Sequence, residues 1–409
     1  MDQFKETVLK KDTLLEEIKQ IFPEICEVRR TLHQHPELGT QEFETGRIIK
    51  ECLQKWDIPY VMIADTGITA SLTGKGSTAG LSTVVALRAD IDALPITEPE
   101  SHSFCSKNPG VMHACGHDAH TAIALGTLLL LKRHEQEFAG TVKCFFQPAE
   151  ETIGGAQRMV KEGCMENPAV DYVAGLHVMP QFHTGEIEVK HGKLNASSDD
   201  VRIDIYGKGC HGAYPENGVD ATLIASALLL SLQTLVSRSI SPLNSAVLTF
   251  GIMEGGSAPN IICDHMVLHG TLRVLDEETR QMAHKLIRTQ AASIAQAYNG
   301  SASVVFESGY DALINPDDLT DLVIELATDL IGADHIHHKE FPSLGVEDFS
   351  FFTHDAKSSV FYHLGCTKPG EEEIHPLHTD GFTLDENCLK TGMLLHYTLT
   401  RRLLTYPKK

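Results

Sequence analysis

Ser82-Thr-Val-Val-Ala-Leu-Arg-Ala-Asp-Ile-Asp-Ala-Leu-Pro95 begins as an uninterrupted apolar run and ends in charged residues and a proline. A short β-branched run of this kind reads as a strand buried on both faces. Two later stretches follow the same pattern. Thr141 to Phe146 ends in Gln147-Pro-Ala-Glu-Glu151, and Asp171 to Leu176 ends at His177. Between them, Ala119 to Arg133 and Gly154 to Lys161 carry helical patterns, the second closed by Gly163. Alternation of strand and helix predicts an α/β fold, a mainly parallel sheet with helices on both faces.

The text changes at about residue 195. Asp200–Tyr206, Ala246–Met253, Met266–Val274 and Ser303–Glu307 read as strands, and Asp220–Val236 and Glu277–Ala297 as helices. The order β-α-β-β-α-β is the ferredoxin-like arrangement. Residues 195–308 are therefore expected to form an inserted α+β lid domain, and 1–194 with 309–409 the catalytic domain. After the insert come a helix from Asp318 to Ile331, a strand from Val360 to Leu364 and a last helix from Glu386 to Leu403. At the other end, Phe4, Val8, Leu14, Leu15 and Ile18 mark one face of a helix over 2–20, and Pro23 is expected to start a second helix toward Leu32. His33 and His35 precede Pro36 without a metal-site companion, so structural packing is expected of them.

A chain of 409 residues accommodates two domains, and 42% hydrophobic with 22% charged residues is the composition of a globular protein. The net charge of -21 argues against nucleic acid and anionic membrane as partners. No stretch approaches the roughly 20 apolar residues of a membrane span, and no basic start leads into an apolar run. The ten cysteines lack framework spacing. A cytoplasmic protein with free thiols is the expectation.

Chemistry concentrates just past strand ends, the edge where open α/β sheets form their sites. Val111-Met-His-Ala-Cys-Gly-His-Asp-Ala-His-Thr121 holds a Cys-x-His unit, a thiolate and an imidazole able to reach one ion. Beside it, the expected ligands of two divalent metals are Cys115, His117, Glu151, His177 and His378, with Cys115 available as a bridge. Two such ions lower the pKa of a water and polarise a carbonyl. Glu150 is then the expected general base, and Asp92 the carboxylate that orients a ligand. His113 and His120 are expected to play supporting roles, and His378 is preferred to His375 as ligand. In the insert, His211 sits on a glycine-rich turn as a candidate oxyanion donor. Asn260 and Arg273 are candidates for substrate binding, the arginine suiting a carboxylate.

Leu87-Arg-Ala-Asp-Ile-Asp-Ala-Leu-Pro95, Met112-His-Ala-Cys-Gly-His-Asp-Ala-His120, Phe146-Gln-Pro-Ala-Glu-Glu151 and Gly175-Leu-His-Val178 resemble the amidohydrolase branch of the aminoacylase/carboxypeptidase metallopeptidases. The likeness continues through Gly207–Pro215, Gly255–Asn260, Gly270–Arg273, Gly345–Phe349 and His378, nearly the whole chain in order. It implies a dinuclear catalytic domain with an inserted lid that carries dimer contacts. It implies hydrolysis of the amide bond of small N-acyl amino acids, with Glu150 as base and the same five metal ligands. The resemblance also implies that His211 acts in the site of a partner subunit. Cys263 stands where the family usually has proline, and Val346 where small polar residues are common, so the substrate preference stays open.

Three alternatives are kept. A carboxypeptidase or dipeptidase would use the same site. A thiol hydrolase would use Cys115 as nucleophile but leaves the glutamate pair and His177 unexplained. A binding or sensor protein would keep the metals without turnover. Zinc and manganese both suit the donor set.

Overall fold

The computed structural model describes residues 11–76, 82–100 and 102–406. Phe4 and Val8, assigned above to a helix, lie outside these. In chain order the strands are β1 (Tyr60–Ile63), β2 (Gly67–Thr73), β3 (Val84–Asp90), β4 (Thr141–Gln147), β5 (Tyr172–His183), β6 (Ile187–Val189), β7 (Gly192–Asn195), β8 (Ser197–Tyr206), β9 (Ala246–Gly255), β10 (His265–Val274), β11 (Ser301–Ser308), β12 (Leu313–Asn315), β13 (Ile336–His338) and β14 (Ser358–Thr367). The helices are α1 (Lys11–Gln34), α2 (Phe43–Lys55), α3 (His117–Arg133), α4 (Gly155–Lys161), α5 (Ala221–Thr234), α6 (Glu277–Ala297), α7 (Asp317–Ile331), α8 (Ser350–Thr353) and α9 (Cys388–Leu404). Described residues fall into two compact units, one within Met1–Gly192, Asn315–Glu340 and Phe351–Lys409, the other within Lys193–Ile314 and Phe341–Ser350.

The first unit is built on an eight-stranded sheet in the order β1-β2-β4-β3-β5-β14-β6-β13. Its centre, β4-β3-β5-β14, is parallel, and antiparallel pairing enters where β2 meets β4 and β6 meets β14. All seven residues of β3 are buried, which explains a run with no polar alternation. Helices α1, α3 and α9 pack on one another and into the same apolar core as the sheet.

Two details differ from the sequence expectation. α1 is one helix that passes through Pro23. Proline inside a helix costs about 3 kcal/mol. Leu14, Ile18, Ile21, Ile25 and Leu32 keep one helical phase on both sides of Pro23 and are all buried, which offsets that cost. β5 does not end at His177 but continues to His183, because β14 pairs alongside it through His363 opposite His177 and Gly365 opposite Met179.

The second unit is a four-stranded antiparallel sheet, β11-β8-β10-β9, with α5 and α6 packed against it. Its order, β8-α5-β9-β10-α6-β11, is the ferredoxin-like one. Aspartates set where both helices start. Asp220 accepts from the N–H groups of Thr222 and Leu223, and Asp276 from that of Thr279. One further expectation fails on composition. Ala221–Ser239, 19 residues, is long and apolar enough to cross a membrane. Within this unit Ile224, Ala225, Leu228 and Leu232 are buried in the core, while Leu223 and Leu230 are exposed.

Candidate metal centre

The loop before α3 turns through Gly116, whose φ of +82° places it in the left-handed region. A Cβ there would stand 2.3 Å from Val178 Cγ2, so only glycine fits between Cys115 and His117. His117 is the first residue of α3. Its Nδ1 lies 2.9 Å from the carbonyl oxygen of Asp92 and 3.2 Å from Oδ1 of the same residue. That pairing turns Nε2 toward Glu151, whose Oε1 is 3.9 Å away. Asp92 Oδ2 accepts the backbone N–H of Glu151 at 3.0 Å, so one buried carboxylate positions both residues.

Beyond β4 the chain turns at Ala149, a non-glycine residue at φ +55° whose N–H is held by Glu42 Oε1 at 2.8 Å. The turn delivers Glu150 and Glu151 to the site. From β5, His177 donates Nδ1–H to the carbonyl of Val178 (2.7 Å), leaving Nε2 3.3 Å from Cys115 Sγ. His378 arrives on an exposed loop at φ +62°, its backbone N–H tied to the carbonyl of Ala114 at 2.9 Å. His378 Nε2 is 3.2 Å from Cys115 Sγ and 3.0 Å from Glu151 Oε1. The structure thus brings together Cys115, His117, Glu151, His177 and His378, with Asp92 and Glu150 beside them. Donor atoms of Cys115, His117 and His177, of Cys115, Glu151 and His378, and of His117, Glu150 and Glu151 lie within 4.8 Å of one another in each group.

Asp90 stands at the end of β3, a position that the sequence marks only as a polar strand end. It is fully buried, 2.6 Å from His120 Nδ1, 2.6 Å from the buried Arg88 guanidinium and 3.5 Å from His117 Nε2. The other nitrogen of His120 accepts the N–H of Val178 at 2.8 Å, which ties α3 to β5 next to His177. His113 is buried with neither ring nitrogen hydrogen-bonded among the described residues. His363 is engaged by Glu188 at 2.6 Å.

Burial, then the carboxylates of Glu151 and Glu150, hold the Cys115 thiol well above its usual range. A nucleophilic cysteine needs the reverse, an electropositive setting that favours thiolate. Burial also drives His177 well below the usual histidine range, with His120 adding to it. Burial pulls His117 down as well, yet Asp90, Asp92 and Glu151 outweigh it and push it up to about 10. His117 Nε2 and Glu151 Oε1 are buried with no well-formed hydrogen bond among the described residues, and both face the space shared with Cys115 and His378. Imidazole nitrogens, a thiol and carboxylates aimed at one space are the donor set of zinc or a similar divalent cation.

The three insert residues lie in the second unit. His211 is exposed, its Nδ1 accepting the N–H of Ala213 at 3.0 Å. The adjacent Gly212 donates to the carbonyl of the exposed Asn260 at 2.7 Å, so these two stretches are neighbours. Arg273 is half-buried on β10, with Nη1 3.3 Å from the carbonyl of Leu344.

A sequence model of peptidase family M20/M25/M40 matches residues 86–402. An N-acetyl-L-cysteine deacetylase of Bacillus subtilis is 36% identical over 404 residues, 97% of this chain and 92% of that one. Thermostable carboxypeptidase 2 of Saccharolobus solfataricus is 34% identical over 393 residues, 95% and 97% of the two chains. A crystal structure from Bacillus subtilis, described as a dinuclear metal binding peptidase from the M20 family, superposes with a TM-score of 0.81 at 32% identity. It covers 95% of this chain and 99% of that one.

Proposed function

This chain belongs to peptidase family M20/M25/M40, and from that premise we propose that it hydrolyses the amide bond of N-acyl amino acids with two divalent metal ions, zinc or manganese. The observation that carries the reading is the position of Cys115 Sγ, 3.3 Å from His177 Nε2 and 3.2 Å from His378 Nε2. Cys115, His117, Glu151, His177 and His378 would hold the ions between them, the Cys115 sulfur lying close to donors from both β5 and the His378 loop. Bound cations at this centre supply Lewis acidity toward the scissile carbonyl and lower the pKa of a water.

The remaining work falls to side chains. Glu150 takes the proton of the attacking water at its carboxylate and returns it to the leaving nitrogen, releasing an acid and a free amino acid. Asp92 keeps His117 in the tautomer that presents Nε2, and fixes the backbone of Glu151. His211, Asn260 and Arg273 are assigned to substrate binding, with His211 a donor to the developing oxyanion and Arg273 a partner for a carboxylate. The assignment includes residues 1–194 and 309–409 as the catalytic domain and 195–308 as a lid through which two copies pair.

The deacetylase relative favours blocked amino acids, and the carboxypeptidase relative keeps peptides as the second reading. The deciding experiment assays acetyl- and benzoyl-amino acids against unblocked dipeptides on protein of measured metal content. The expected result is turnover of the blocked substrates, lost on chelation and restored by zinc or manganese. Faster cleavage of unblocked peptides would select the second reading. Activity that survives chelation and falls to thiol alkylation would overturn both.

A further inference from the structure

A second convergence of metal-type donors lies within the first unit, built from other side chains. His33, near the end of α1, and Glu98 and His102, on the loop after β3, aim three donor atoms at one point. His33 Nε2 is 3.0 Å from Glu98 Oε1, and His102 Nε2 is 3.1 Å from that same oxygen. The three donors lie within 4.8 Å of one another. The side chains of His33 and Glu98 are 3% exposed and that of His102 is 25% exposed.

The surrounding contacts prepare these atoms for a cation. His33 Nδ1 is 2.7 Å from Asp118 Oδ2, and an imidazole whose far nitrogen donates to a carboxylate presents a lone pair at Nε2. Cys105 Sγ stands 3.5 Å from His102 Nδ1 and engages that nitrogen, so His102 likewise turns Nε2 inward. The other oxygen of Glu98 accepts the N–H of Ser106 at 2.6 Å, which fixes the carboxylate. Phe104 packs against His102 with ring centroids 4.1 Å apart and planes tilted by 33°, which limits the motion of the imidazole. Two lone pairs and a carboxylate oxygen facing one point repel unless a proton or a metal lies between them. Ligand atoms about 2.0–2.1 Å from a tetrahedral zinc are about 3.3 Å apart, so each nitrogen needs to part from Glu98 Oε1 by only a few tenths of an ångström. Arg29, with Nη2 3.2 Å from His33 Nδ1, sets a positive charge beside the site that Asp118, 2.7 Å from Arg29 Nε, offsets in part.

We propose that His33, Glu98 and His102 form a separate mononuclear site for a borderline divalent cation of the zinc type. Two imidazoles and one carboxylate leave a coordination position for water or a further ligand. The ion would tie α1 to the loop that leads into Met112–His120. The site extends beyond the amidohydrolase reading and does not depend on it.

The test counts zinc. Full-length protein is stripped by chelation, equilibrated with Zn²⁺, dialysed and analysed for metal, as the native chain and as His102→Leu, Glu98→Gln and Cys115→Ala. His102→Leu, at a partly exposed position, is expected to keep the native circular dichroism spectrum and to bind one equivalent fewer than the native chain. Glu98→Gln should show the same deficit, and Cys115→Ala should retain that equivalent. A zinc count in His102→Leu equal to the native count would overturn the site, leaving the donors as a protonated hydrogen-bond network. Loss of the His102-dependent equivalent in Cys115→Ala would overturn it as well, by assigning that ion to the other centre. Failure of the amidohydrolase reading has a different signature: inactive protein whose His102-dependent equivalent is intact.

Discussion

His117 and Asp92 meet twice, since Nδ1 of the imidazole lies 2.9 Å from the aspartate's own carbonyl oxygen and 3.2 Å from its Oδ1. The other carboxylate oxygen of Asp92 holds the N–H of Glu151. Removing a carboxylate that orients a metal-binding histidine typically costs 10–100-fold in metal affinity or activity, roughly. Asp92→Ala is expected to lower metal affinity and kcat/KM by about that range. Titration with a competing chelator, with the fold checked by circular dichroism, measures it.

Glu150 shares its surroundings with His117 and Glu151 but is assigned to proton transfer. Glu150→Gln should keep its full metal content and lose roughly 10²- to 10⁴-fold in kcat. Metal analysis and steady-state rates on one preparation decide this, and a drop in metal content would reassign Glu150 as a ligand.

Gly116→Ala adds a methyl group at 2.3 Å from Val178 Cγ2, at a φ of +82° that alanine resists. Strain of this kind costs on the order of 1–3 kcal/mol. It displaces Cys115 and His117 together, so weaker metal binding should accompany a lower denaturation midpoint. A shift in midpoint with unchanged metal affinity would show that the loop absorbs the methyl group without moving its donors.

Arg29 and Asp118 form an ion pair at 2.7 Å with side chains 4% and 0% exposed. Truncating one partner strands a buried charge, at about 3–5 kcal/mol. Arg29→Met is expected to destabilise the protein on that scale in urea unfolding, whereas Arg47→Met, which removes exposed helical pairs with Glu44 and Glu51, should leave the midpoint nearly unchanged.

The pH dependence of the metal-free protein follows from His117. Burial lowers it, but Asp90, Asp92 and Glu151 bring it to about 10, above the ordinary 6.5. A folded-state value above the unfolded one stabilises fully below about 6.5, and that contribution is lost as pH rises toward 10. Melting temperature should fall across this window, and His117→Asn should flatten the slope. A cation must displace the same proton, so metal loading at pH 7 should release protons and tighten as pH rises. Calorimetry in two buffers of different ionisation enthalpy measures the release.

Much of the sheet was legible because β3, β4 and β5 are short buried runs that end in polar residues, a local signal. The pairing of Cys115 with His117 was equally local. His378 was less so, since its text is a loop in which His375 competes with it. The roles of Asp90 and Arg88 stayed hidden because side chains buried in a strand resemble any polar strand end. Arg29 and His33 on α1 meet Asp118 and Glu98 from segments far apart in the text, and no periodicity reports that. Pro23 does not start a helix because the apolar residues buried on either side of it, Leu14, Ile18, Ile21, Ile25 and Leu32, outweigh the local preference of proline. The apolar character of Ala221–Ser239 is masked in the text because serine, threonine, glutamine and arginine interrupt its leucines.

The order of strands across the sheet also has a temporal side. β14, which begins only at Ser358, lies between β5 and β6, both complete by Val189. On the ribosome, the first half of the protein must wait with that slot open while the intervening residues are synthesised. A nascent chain released early would expose an unpaired edge of β5, so quality control of this protein is expected to act on chains that stop short of their final strand.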